Sequence, residues 1–192
     1  MHPNPNTLIA AALACGLFNA TAFAADTSRV KRGAQLVAYG GCVDCHTPFK
    51  MNSNGPEKDI ARGLSGHPEE IHLPPSPKLD NTWNWAGSAT MTAFVGPWGI
   101  TYASNLTPDR ETGIGTWREK DFIQAMRSGK HVGVARPIMP PMPWQAVSSL
   151  PEKDLRAIFA YLTAQPAVKN RVPDYVPPAS STSKAAGSKT SG

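Results

Sequence analysis

Apolar positions recur with a helical period in three stretches of this chain. In 29–40, Val30, Ala34 and Val37 share one face, and the pair Gly40-Gly41 ends the pattern. In 116–128, Phe122, Ala125 and Met126 face inward together. Thr116 and Glu119 stand at capping-box spacing, and Gly129 can supply a left-handed terminal residue. In 151–163, Leu155, Ile158, Phe159 and Leu162 form an i, i+3, i+4, i+7 stripe, with Pro151 suited to the first turn. The intervening text lacks this period. Prolines at 48, 56, 68, 74, 75, 77 and 97 interrupt 47–105, yet that stretch holds Trp83, Trp85, Phe94, Trp98 and Tyr102. So aromatic a segment predicts an ordered wrap rather than a disordered linker. A second proline-rich loop, 131–144, contains Pro137, Pro140, Pro141 and Pro143. The pattern predicts an all-α fold with a long, loop-rich insert.

Composition alters the picture at the two ends. The 192 residues suit one domain. Residues 8–17 are an apolar run too short to span a bilayer, and Ala22-Phe23-Ala24 is a small-x-small cleavage signature. Residues 1–24 are therefore expected to be an export signal, discarded together with His2 and Cys15. With only His2 ahead of the apolar run, the alternative is a signal retained as an anchor. Residues 25–168 form the expected domain. Beyond Pro166 the composition falls to Pro, Ser, Ala, Lys and Gly, so 169–192 is expected to be a disordered tail. The formal charge is +5. Lys169, Arg171, Lys184 and Lys189 against Asp174 place +3 in that tail and leave +2 for the domain. No basic stripe of the kind a nucleic-acid binder needs is present.

After removal of the signal, two cysteines remain, and both lie in Cys42-Val43-Asp44-Cys45-His46, directly behind the first helix. C-x-x-C-H attaches haem c covalently. Two thiols three residues apart can add to the two vinyl groups of one porphyrin, and the adjacent histidine then donates a ring nitrogen to iron. A thioredoxin-type pair would need a strand-to-helix context, and a zinc site would need a second ligand pair. Neither is present. A planar haem can also organise the aromatic insert. An electron carrier needs a sixth ligand, and a thioether favours ferrous iron. Met139 and Met142 each stand between residues of a proline-stiffened loop, and the local pattern does not choose between them. Met51, Met91 and Met126 read as packing residues, and His67, His72 and His131 are weaker candidates for the sixth ligand. The carbonyl of Pro56 is a candidate acceptor for the second nitrogen of His46. Trp98, Tyr102, Asn105 and Arg136 are candidate donors to the haem propionates.

With these pieces in place, the chain resembles the class I-type cytochromes c of bacteria. More closely, it resembles the haem domains of dehydrogenase cytochrome c subunits. The resemblance rests on Gly41-Cys42-Val43-Asp44-Cys45-His46-Thr47-Pro48, Gly96-Pro97-Trp98-Gly99 and Asn105-Leu106-Thr107-Pro108-Asp109. It continues through Glu111-Thr112-Gly113-Ile114-Gly115-Thr116-Trp117, Pro141-Met142-Pro143-Trp144 and 154–162. It implies an all-α fold whose first and last helices cross beside the haem. It also implies that the ligand methionine belongs to a Met-Pro-aromatic triplet, which selects Met142 over Met139. Members that serve as membrane subunits carry three haem motifs, whereas this chain carries one. The expected function is single-electron transfer in the periplasm through one Met/His-ligated haem c, without an enzymatic activity of its own. Expected partners are a donor dehydrogenase or quinol-linked complex and an acceptor oxidase or reductase, and peripheral membrane contact is compatible with this. A dedicated redox subunit of a periplasmic dehydrogenase or oxidase is the alternative. A gas sensor or enzyme with an open iron position is a third reading.

Overall fold

The computed structural model describes residues 26–80, 82–133 and 136–178. The first helix, α1, covers 26–39 of these. Gly41, at φ 66°, breaks it and starts a single helical turn, α2, over Cys42–His46. The remaining helices are α3, Glu119–Ser128; α4, Trp144–Ser148; and α5, Glu152–Thr163. None of the helices among the described residues is long and apolar enough to cross a membrane.

The all-α expectation does not hold. The segment between α2 and α3 contains two small antiparallel sheets, so the fold is mixed α and β. Strand β1, Phe49–Asn52, pairs with β2, Gly55–Lys58. Strands β3, Ala86–Gly87, β4, Ala93–Gly96, and β5, Gly99–Tyr102, form a second sheet in that order. The prolines that exclude helix from this segment do not exclude short hairpins, because each lies at a strand end, at an edge or in a connection. Val95↔Ile100 and Ala93↔Tyr102 pair across β4 and β5, and Gly96-Pro97-Trp98-Gly99 closes the turn between them.

The three periodic helices pack as their stripes predict. Val37, Phe122, Ala125, Met126, Leu155, Ile158, Phe159 and Leu162 form one buried cluster, which Leu64 and Ile114 join from the loops. Removing this apolar surface from water is the main term holding the helices together. Helices α1 and α5 meet at Gly33, where a Cβ would stand 1.9 Å from the Ala157 carbonyl oxygen. Beside this contact the Arg32 guanidinium donates to both carboxylate oxygens of Asp154 at 3.0 Å. The capping box forms two residues later than Thr116 and Glu119 imply. Asp121 accepts the Arg118 N–H at 3.0 Å and its guanidinium at 2.8 and 2.9 Å, an ion pair that Thr116 cannot match. Gly129 ends α3 at φ 64°, as expected.

Part of the expected tail belongs to the fold. Val176 pairs with Ile100 through two backbone hydrogen bonds, and the Tyr175 hydroxyl donates to the Trp98 carbonyl. Asn170 is fully buried. Its side-chain oxygen accepts the Glu69 N–H, and its amide donates to the Ser65 and His67 carbonyls at 2.7 and 2.9 Å. Residues 169–178 are thus pinned to the domain, against the boundary at 168 that composition suggests. The expected signal, 1–24, and the stretch 179–192 lie outside the described residues.

Candidate haem-attachment site

Helix α2 is short because Gly41 opens it in a left-handed conformation and Thr47 leaves it in an extended one. One helical turn is what the chemistry needs. Residues i and i+3 face the same way on a helix, so Cys42 and Cys45 share a side. Both are free thiols and half-buried. Burial is the main cause that pushes both thiols up from their ordinary range, and the neighbouring Asp44 carboxylate adds to it. A dithiol used in disulfide exchange needs the opposite shift. The raised thiols count against the thioredoxin reading.

His46 is only 8% exposed. Its Nδ1 lies 2.7 Å from the Ser104 carbonyl oxygen. A carbonyl only accepts, so Nδ1 carries the proton and Nε2 keeps its lone pair. Burial lowers the pKa of the ring, with the Ser104 carbonyl opposing in part, so the imidazole is neutral and able to ligate. The tautomer is therefore set by tertiary contact. Ser104, and not the Pro56 carbonyl, is the acceptor. Pro56 lies in β2, exposed, paired with Met51 across the hairpin. Lys58 of that hairpin contacts Asp44 within the attachment turn.

The methionine loop is anchored to β5 by the Thr101 hydroxyl, which donates to the Pro140 carbonyl at 2.8 Å. Met139 and Met142 are both half-buried, and the Met142 N–H reaches the Met139 carbonyl at 3.3 Å. Of the other sulfur and imidazole candidates, Met126 and His67 are engaged elsewhere, whereas Met51, Met91 and His72 are exposed. Met126 is in the core, and Met51 is 72% exposed in β1. His67 is fully buried with Nδ1 on the Thr92 hydroxyl and Nε2 on the Ile71 carbonyl, so neither nitrogen is open to iron. His72 is exposed. His131 is held neutral, its pKa lowered to about 4 by burial and the Arg136 charge.

The four proposed propionate donors separate clearly. Trp98 keeps a buried indole N–H with no partner among the described residues, which suits an added acceptor. Tyr102 is half-buried, its ring 5.0 Å from that of His67, and burial raises its pKa. Asn105 does not fit. Its amide donates to Thr112 Oγ1, the Val168 carbonyl and the Asn170 carbonyl, while its oxygen accepts from Thr107. Its role is to tie the 105–112 turn to the C-terminal segment. Arg136 is exposed beyond His131, whose N–H bonds the Arg136 carbonyl. Sequence reasoning missed Ser104, Gly33 and Asn170, since each acts through a partner more than fifty residues away.

No protein-family model matches the chain. It is 30% identical over 156 residues to the cytochrome c subunit of gluconate 2-dehydrogenase from Pantoea cypripedii, covering 78% of this chain and 27% of that protein. It is 29% identical over 153 residues to the cytochrome c subunit of the quinone-dependent alcohol dehydrogenase of Gluconobacter oxydans, covering 78% of this chain and 25% of the relative. With a nicotinate dehydrogenase subunit from Pseudomonas putida it shares 29% identity over 144 residues, 75% of this chain and 9% of that protein. The chain thus spans about a quarter or less of the length of these relatives. Over roughly three quarters of its own length, this chain is a homologue of the cytochrome c subunits of dehydrogenases.

Proposed function

We propose that the chain carries single electrons in the periplasm as a c-type cytochrome with one haem c. The observation that carries this reading is α2, which puts two free cysteines on one side of a helical turn and a tautomer-fixed imidazole at its end. Cys42 and Cys45 would hold the haem covalently, and His46 Nε2 and Met142 would ligate its iron, with Met139 as the alternative. When bound, haem c accepts and returns one electron at a potential tuned by its axial ligands and burial. The protein's part is to orient and to exclude water. Ser104 keeps the proton on His46 Nδ1, and the Thr101 hydroxyl steadies the methionine loop. Trp98, Tyr102 and Arg136 serve as donors to the propionates. With His46 and Met142 both given to the iron, the chain would carry electrons rather than bind a substrate, and no enzymatic activity is assigned. Residues 1–24 act as a cleaved export signal, and the working domain begins at residue 25.

The relatives favour one refinement: the electron donor is a periplasmic dehydrogenase to which this chain is a dedicated redox partner.

Expression of the full chain with a haem-maturation system tests the reading. Mature protein carrying one haem by mass and by alkaline pyridine spectrum is expected, and Cys42→Ala with Cys45→Ala removes the covalent link. In the ferric protein the methionine–iron charge-transfer band should vanish in Met142→Ala and persist in Met139→Ala. The reverse pattern moves the ligand to Met139. An open iron position in the unaltered protein, shown by tight cyanide or carbon monoxide binding, overturns the electron-carrier reading.

A further inference from the structure

The axial histidine is enclosed by a segment that the attachment motif does not announce. The Gly66 N–H donates to the His46 carbonyl oxygen at 2.8 Å, and the Leu64 N–H donates to the Thr47 hydroxyl at 3.0 Å. The same segment then runs against 103–106. The His67 N–H donates to the Ala103 carbonyl at 3.0 Å, and the Leu106 N–H to the Leu64 carbonyl at 2.9 Å. Ser104, between these two contacts, presents the carbonyl that accepts from His46 Nδ1 at 2.7 Å. The contacts close into a ring: His46 carbonyl to Gly66, His67 to the Ala103 carbonyl, and the adjoining Ser104 carbonyl back to the His46 imidazole.

Gly66 is the only member of this ring that a side chain would break. Its φ is 80°, and a Cβ there would lie 2.3 Å from the Ala103 oxygen, 2.7 Å from the Ser104 carbonyl carbon and 2.8 Å from the Ser104 oxygen. A methyl group cannot be accommodated without displacing the carbonyl on which the imidazole depends. His67 fixes the other end. Its side chain is locked between Thr92 and the Ile71 carbonyl, so the 64–67 segment cannot slide to relieve the clash.

We infer that Gly66 is a positioning residue for the axial ligand: by keeping the Ser104 carbonyl against His46 Nδ1–H, it sets the electron-donating strength of the imidazole and thereby the reduction potential. This rests on haem attachment at Cys42 and Cys45 with His46 as ligand. A strong hydrogen bond from Nδ1–H leaves more negative charge on the ring, which makes Nε2 a better donor and favours ferric over ferrous iron. Weakening that bond shifts the one-electron equilibrium toward the ferrous state, raising the potential.

The test is a redox titration of the full, haem-loaded chain, with Gly66→Ala beside Gly115→Ala. A Cβ at Gly115 would lie 2.2 Å from the Pro108 carbonyl oxygen, in the turn before α3 and outside both the ring around His46 and the residues assigned to the haem. Both variants should lose thermal stability. Only Gly66→Ala should raise the potential, by about tenfold in the reduction equilibrium, ~59 mV for one electron. An unchanged potential in haem-loaded Gly66→Ala, or an equal shift in Gly115→Ala, overturns the inference while leaving haem attachment standing. Absence of covalent haem in the unaltered protein overturns the functional reading instead. Should Gly66→Ala fail to accumulate, hydrogen exchange on the unaltered protein decides. The His46 ring N–H and the Gly66 amide should exchange together, and rapid ring exchange beside a protected Gly66 amide overturns the inference.

Discussion

Leu155 in α5 and His67 in the insert are both completely buried, but they are held by different physics. Leu155 belongs to a cluster of aliphatic and aromatic side chains contributed by three helices and two loops. That packing is non-directional, so one apolar side chain can stand near many others. His67 instead ends a line of hydroxyls. Its Nε2–H donates to the Ile71 carbonyl at 3.1 Å, so Nδ1 must accept from the Thr92 hydroxyl at 2.9 Å. Thr92 then accepts from Thr90 at 2.8 Å, and Thr90 from the half-exposed Ser88 at 2.9 Å. Each hydroxyl donates to one partner, in one proton direction. An error in the helical half leaves a cavity that its neighbours only partly refill; an error in the insert leaves a buried donor or acceptor unmatched, at its full desolvation cost. The difference suits the proposed division of labour, in which the helices supply a frame and the insert fixes the tautomer and surroundings of His46.

The largest expected effect lies in the helical half. Leu155→Ala should cost about 2–5 kcal/mol, the range for a buried leucine that leaves a cavity, read as a fall in the urea midpoint with the m-value kept. Next comes the joint between the regions. Asn170→Ala removes the amide that holds the Ser65 and His67 carbonyls and the Glu69 N–H. It should cost about 1–3 kcal/mol, and faster exchange should appear first at the Glu69 amide, before α5 opens. If α5 opens simultaneously, the two regions are a single cooperative unit and the contrast between them fails.

A pH series probes the same contrast more gently. Burial lowers the pKa of His67 below its ordinary value, and His131 is lowered to about 4. The unfolded chain therefore binds protons that the folded chain refuses as pH drops below about 6.5. The contribution from these groups is fully present above that pH and declines toward about 4, with His131→Gln and His67→Gln each flattening the slope. Below that window the carboxylates dominate. Glu70 is held down to about 2, chiefly by the Arg62 guanidinium, and Asp121 to about 2 by Arg118, so their stabilisation is full above the ordinary carboxylate range and declines as pH falls from there through about 2. The smallest effect belongs to Trp83, which is 69% exposed. Trp83→Ser should change stability by no more than about 0.5 kcal/mol, which a thermal melt would check; a larger loss would mean that the insert relies on aromatic packing after all.

The amino-acid sequence alone determined the three long helices, their buried faces, the glycine end of α3 and the attachment turn, because these depend on spacing within a dozen residues. Period, proline and glycine placement and the C-x-x-C-H text are local signals. It also excluded helix from the insert, but the step from there to an all-α fold was wrong, since short hairpins with few residues per strand leave little alternation to detect. Tertiary structure alone decided the rest. Ser104 lies fifty-eight residues from His46, Asn170 more than one hundred from His67, and Gly33 meets Ala157 across the helix crossing. A hydrogen bond between such residues depends on where two backbones happen to pass, and nothing in the composition near either residue marks it. For that reason the proposed haem-ligating histidine could be named from five letters, while the carbonyl that fixes its proton, and the glycine that makes room for that carbonyl, became visible only in three dimensions.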